Sequence, residues 1–149
     1  MSDISEKATR LSNIRIILVR PKFGSNIGAV CRAMANSGLP ELVLVAPRTD
    51  PQGVDARTAC GRAQSILAAA RSCDTFEQAL EGVGYVVGTS CRDGQYRDQL
   101  SDLPETLAAE VVKRAGAGRA AVLFGPEDPG LVNAEHRRCG AGIRITRCD

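Results

Sequence analysis

Three stretches of this sequence combine residue types that could act on a polar, electron-rich substrate. The first, Arg20-Pro-Lys-Phe-Gly-Ser-Asn-Ile-Gly28, sits where an apolar run gives way to a helical pattern. Free amide groups at a glycine-containing helix start can cradle an anionic or electron-rich group. Projected at about 100° per residue, Ser25, Gly28, Arg32 and Asn36 share one face, away from the Ile27, Cys31 and Met34 stripe. A guanidinium, a small gap and two hydrogen-bonding side chains could bind substrate there, and the same pattern also describes an ordinary solvated face.

The second stretch, Gly88-Thr-Ser-Cys-Arg92, follows an apolar run. Its small residues leave room for an adenine or a ribose, and they equally suit a turn. The third, Phe124-Gly-Pro-Glu-Asp-Pro-Gly-Leu131, carries two prolines and two glycines directly after another apolar run. A stiff loop loses little entropy on binding. Glu127 is its conspicuous carboxylate, available for a site or for the positive end of a helix.

Other chemistries find no support. No Gly-x-Gly-x-x-Gly follows a strand and no P-loop is present. The one histidine, His136, allows no believable Ser, His and Asp combination. The six cysteines, Cys31, Cys60, Cys73, Cys91, Cys139 and Cys148, include no Cys-x-x-Cys pair, so no metal site is expected.

The elements that must position these loops follow from periodicity. Apolar runs at Ile14 to Val19, Leu42 to Val45, Tyr85 to Val87 and Ala120 to Phe124, with a weaker one at Ile143 to Thr146, are nearly continuous in character. Strands buried on both faces of a parallel sheet require that pattern. Between them, helical spacing runs over Asn26 to Ser37, closed by Gly38, and over Asp55 to Ala70. Thr75-Phe-Glu-Gln78 reads as a capping box. Pro104 to Ala115 and a short segment from Asn133 to Arg138 complete the helices. Alternation of strands and helices predicts an α/β fold, a parallel sheet with helices on both faces and right-handed crossovers. Ligands of such sheets bind beyond the carboxyl ends of the strands, where the three stretches fall.

The length of 149 residues and 44% apolar content fit a single domain over 1–149. A formal net charge of +2 means that nucleic-acid affinity must come from locally clustered cations. Arg20, Lys22, Arg32, Arg92 and Arg97 could form such a basic rim. With no Trp, two Tyr and three Phe, a ribose or backbone target suits the composition better than rows of stacked bases. The segment Met1 to Arg10 is polar and no apolar run reaches transmembrane length, so no membrane partner and a cytoplasmic location with reduced thiols are expected.

Taken together, Asn26-Ile-Gly-Ala-Val-Cys-Arg-Ala-Met-Ala-Asn-Ser-Gly38, Gly88-Thr-Ser-Cys-Arg92 and Phe124-Gly-Pro-Glu-Asp-Pro-Gly-Leu131 resemble, in order and spacing, the motifs of the SPOUT superfamily. The likeness is to its TrmH/SpoU branch, in particular TrmJ-like tRNA 2′-O-ribose methyltransferases, and covers about Ile14 to Ile145. The resemblance implies an α/β knot fold, S-adenosylmethionine as cofactor, RNA (tRNA foremost) as substrate, and a homodimer. It places the cofactor at Thr89, Ser90, Cys91, Gly125 and Ile145, and substrate contacts at Ser25, Gly28, Arg20 and Arg92. It makes Arg32 the residue at the ribose 2′-hydroxyl, with Asn26 holding Arg32 and Glu127 ordering the motif.

Arginine is normally too basic, with a pKa above about 12, to act as a neutral base. Electrostatic activation of the hydroxyl is therefore the expected role. The family's third motif, an Asn-Leu-Ala-rich helix after the last strand, has no counterpart in Ile143-Arg-Ile-Thr-Arg-Cys-Asp149. An incomplete knot is expected, which leaves open a non-catalytic RNA-binding or dimerising remnant as the alternative.

Overall fold

In the computed structural model, residues 2–90, 100–101, 104–127 and 130–144 are described. Their strands are β1 (Ile14–Val19), β2 (Glu41–Val45), β3 (Arg71–Cys73), β4 (Val83–Ser90), β5 (Leu100–Ser101), β6 (Arg119–Phe124) and β7 (Ala141–Arg144). They form one sheet in the order β3-β2-β1-β6-β4-β7-β5, parallel at every pairing. The helices are α1 (Ser2–Ser12), α2 (Gly24–Ser37), α3 (Val54–Cys60), α4 (Gln64–Ala69), α5 (Phe76–Ala79), α6 (Pro104–Ala115) and α7 (Asn133–Arg137).

Helices on both faces explain why the central strands are apolar throughout. On one face Ile14, Ile16 and Leu18 of β1 pack with Ile27, Cys31 and Met34 of α2 and with Leu107 and Val111 of α6. On the other, Ile17 and Val19 pack with Leu123, Ala79, Leu80 and Leu131. Arg15 is the charged exception within β1. It is buried but paired, donating to a Glu41 carboxylate oxygen at 2.9 Å and to the carbonyls of Ala79 and Glu81 at 2.6 and 2.9 Å. Such pairing is what allows a buried guanidinium.

Four expectations change. The helix expected over 55–70 is two, because Gly61 at φ 55 and ψ −118 cannot continue α3, and the Gln64 amide caps the carbonyls of Arg57 and Gly61. The segment before β1, read only as polar, is helix α1, which is tied at its end by the Asn13 amide to the Ala115 carbonyl at 2.9 Å. β3 and β5 are additional strands, and β3 is a short, mostly exposed edge strand that needs no apolar run. The last strand lies at Ala141–Arg144, earlier than expected. Ile145 and Thr146, and with them the expected knot defect, lie outside the described residues.

From β1 the chain enters α2 on one face, whereas from neighbouring β6 it runs into α7 and the opposite face, where Leu131 and Cys139 pack. Adjacent strands sending their connections to opposite faces open a crevice at their carboxyl ends. The loops after β1 and β6 meet there.

Candidate active site

At the end of β1 the chain turns sharply. Arg20 has φ 48, and Ala46, after β2, has φ 43. Non-glycine residues reach this region at a cost of about 1 kcal/mol or more. Surrounding bonds hold the turn: the Arg20 N–H donates to the Val45 carbonyl at 2.7 Å, and Arg48 N–H to that of Pro21 at 2.9 Å. The Arg20 guanidinium is committed to Glu135 of α7 through two bonds of 2.8 and 3.1 Å. Glu135 is buried, and its carboxylate also accepts from the N–H of Val132 at 2.8 Å. The bond to Glu135 raises the Arg20 pKa, ahead of the opposing effect of burial. Arg20, expected on a substrate-binding rim, thus anchors the loop after β1 to α7.

The N-terminus of α2 has no side-chain cap of its own, since Phe23 holds the N-cap position. Glu127 supplies the missing acceptor from the loop after β6. Its carboxylate accepts from the Lys22 N–H at 3.2 Å and from the Asn26 amide at 2.7 Å. Burial pushes the Glu127 carboxyl up, but the bonds from Asn26 and from the backbone of Lys22 and Phe23 outweigh it and hold it below the usual range. A negative charge at a helix N-terminus is stabilised by the macrodipole as well. Asn26 and Glu127, more than 100 residues apart, are therefore direct partners.

Gly125 opens the same loop. A Cβ there would lie 2.3 Å from the Leu131 nitrogen and 2.4 Å from the Gly130 carbonyl carbon, so only glycine lets the loop fold back on itself. At the carboxyl end of β4, Gly88 pairs with Gly142 and Thr89 with Ile143 of β7. The Thr89 hydroxyl donates to the Leu123 carbonyl at 2.9 Å, and the residue is buried. Ser90 ends β4, while Cys91, Arg92 and Arg97 lie outside the described residues. Gly88 itself is buried, one residue before the Thr89–Ile143 pair.

The face expected to join Ser25, Gly28, Arg32 and Asn36 is corrected at Gly28. That glycine is buried against α3, where a Cβ would come within 2.4 Å of the Ala56 carbonyl oxygen and 2.7 Å of the Ala59 Cβ. Gly24 and Gly28 form the seam that lets α2 and α3 lie in contact, which the helical projection could not reveal without knowing where α3 packs. Ser25, Arg32 and Asn36 are exposed. Arg32 lies six residues beyond Asn26, about 9 Å along the helix, and the Asn26 amide serves Glu127 rather than Arg32. The Arg32 side chain instead passes Gly61, where a Cβ would lie 3.7 Å from Arg32 Cδ and 3.8 Å from Nε.

Sequence reasoning missed Glu135, which fixes Arg20, and Gly61, which flanks Arg32. For Glu135 the available signal was its position three residues after Val132 at a helix start.

The model of the SpoU rRNA Methylase family matches residues 13–147. The chain is similar to tRNA (cytidine/uridine/adenosine-2′-O-)-methyltransferase TrmJ of Pseudomonas aeruginosa, at 42% identity over 91% of this chain and 52% of that protein. Among solved structures it resembles a probable methylase family protein from Haemophilus influenzae, with TM-score 0.85 and 33% identity over 93% of this chain and 57% of the other. It also resembles a probable methyltransferase from Bordetella pertussis, with TM-score 0.83 and 30% identity over 95% and 85% of the two chains. The chain spans about half the length of the curated relatives it matches.

Proposed function

The chain belongs to the SpoU rRNA methylase family, and from that premise we propose that it is an RNA 2′-O-ribose methyltransferase using S-adenosylmethionine, with tRNA as the substrate. When bound, the cofactor supplies an activated methyl group on a sulfonium. The observation that carries the reading is the Asn26–Glu127 contact, which joins the loops after β1 and β6 at the crevice of the sheet. The carboxyl end of β4, with Thr89 and Ser90, and the loop opened by Gly125 are assigned to the cofactor, with Cys91 and Ile145 assigned by motif.

The chain's own residues then have limited tasks, because positioning accounts for most of the rate. Glu127 fixes the start of α2, and through it the helix that presents Arg32. Arg32 is exposed and, among the described residues, has no carboxylate partner. Its guanidinium is free to lie against the ribose 2′-oxygen and stabilise the negative charge that grows as the hydroxyl loses its proton to solvent. Ser25 and Arg92 are assigned to substrate contact, while Arg20 and Gly28 act by holding the loop and the α2–α3 seam. The functional unit is a homodimer, in which Arg32 serves the site of its own chain or that of its partner.

The test is to incubate the protein with methyl-labelled S-adenosylmethionine and unmodified tRNA, then hydrolyse the RNA in alkali. A 2′-O-methyl group removes the internal nucleophile, so the proposal predicts labelled dinucleotides that resist cleavage. Label in bases alone, or cofactor binding without any transfer, contradicts it.

A further inference from the structure

The arginines of the described residues divide into two groups. Arg10, Arg15, Arg20, Arg114, Arg119 and Arg138 each lie within 4.0 Å of a carboxylate. Arg32, Arg48, Arg57, Arg62, Arg71 and Arg137 have no such partner among the described residues, and three of these, the exposed Arg32, Arg57 and Arg62, cluster around the end of α3. Gly61 joins them: it touches the Arg32 side chain, Arg62 follows it directly, and the Gln64 amide clips its carbonyl to that of Arg57, at 3.0 and 2.9 Å. The carboxylates of this segment lie at its other end. Asp55 opens α3 beside Gly24, and Asp50 accepts the Gln52 N–H at 2.9 Å. One cation in a helix's last turn is accounted for by the macrodipole. Three on adjoining elements, with no carboxylate among them, leave a local excess of positive charge that favours an anion.

We propose that Arg57 and Arg62, with Arg32 between α2 and α3, form a phosphate-binding ridge that holds the RNA backbone as it passes the site. The inference rests on the RNA-directed reading above and extends the substrate surface to α3 and the turn after it. A phosphodiester fits the chemistry: guanidinium groups bind phosphate oxygens by paired N–H donors. An exposed cationic ridge without aromatic rings holds a backbone and reads no bases.

The test uses the Arg57→Gln/Arg62→Gln double variant, leaving Arg32 in place, and an Arg71→Gln/Arg137→Gln control that removes two arginines equally without carboxylate partners from other parts of the surface. Affinity for unmodified tRNA is measured against salt concentration. The ridge predicts that the slope of log affinity against log salt falls by about 0.7–0.9 for each arginine removed, with at least about 10-fold weaker binding at low salt. Affinity for S-adenosylmethionine stays unchanged, and so does the control's tRNA binding. A double variant with the wild-type slope, or a control that loses as much, overturns the ridge and leaves the methyltransferase reading standing. A wild-type chain that binds no tRNA overturns both.

Discussion

The two stretches of α2 differ in how their polar groups are used. At the N-terminal end Arg20 and Glu127 are both engaged: Arg20 with Glu135, and Glu127 with Asn26 and the backbone of Lys22. Further along, Arg32 stands beside Gly61 with Arg57 and Arg62 nearby and no carboxylate for any of them among the described residues. Polar groups tied to one another at a sheet's carboxyl edge build the frame. Cations left without partners are the ones free to meet a ligand. The same residue type thus holds the frame at position 20 and, among the described residues, is left without a carboxylate at position 32.

That contrast can be broken most forcefully at Arg20. Arg20→Ala strands the buried Glu135 carboxylate, and we expect a loss of about 3 kcal/mol in stability, read from urea midpoints. Gly28→Ala should rank next, at about 2 kcal/mol, because its Cβ meets backbone atoms of α3 at 2.4 and 2.7 Å. In thermal melts that is roughly 4–8 °C. Glu127→Gln should cost about 1 kcal/mol by weakening the borrowed helix cap.

The Glu127 effect also carries a pH signature. Its folded carboxyl is held below the ordinary value of 4.5, so its contribution is fully present above that pH and is lost as pH falls through the folded value. The wild-type advantage over Glu127→Gln should therefore be constant above about pH 5 and shrink in acid. A gap that grew in acid would place the carboxyl's shift in the wrong direction. The smallest effect belongs to Arg32→Ala, whose stability should stay within about 0.5 kcal/mol of wild type. A large loss there would abolish the distinction between framing and functional arginines.

Much of the frame was legible before any coordinates. The four main strands announced themselves because burial on both faces demands unbroken apolar runs, and the Thr75–Gln78 capping box appears as read. The elements that were missed lack such a demand. β3 is an edge strand of Arg71–Cys73, and α1 is mostly exposed along its length. Of the site, the three loops and the conspicuous Glu127 carboxylate were readable from residue types, while Asn26 entered only through the family resemblance. Their bond to each other was not, since it joins positions 101 residues apart. Gly28 misled for a related reason: a helical projection shows which residues share a face but not which neighbour covers it. Arg20 and Arg32 look alike in sequence, and only the position of Glu135 separates them.

The central claim is that Arg32 acts on the substrate while contributing little to the fold. Single-turnover methyl transfer to tRNA by Arg32→Ala, at saturating S-adenosylmethionine, tests it most directly. The account predicts a rate lower by about 100-fold or more with unchanged cofactor affinity and melting temperature. A variant that transfers methyl groups at the wild-type rate would contradict it.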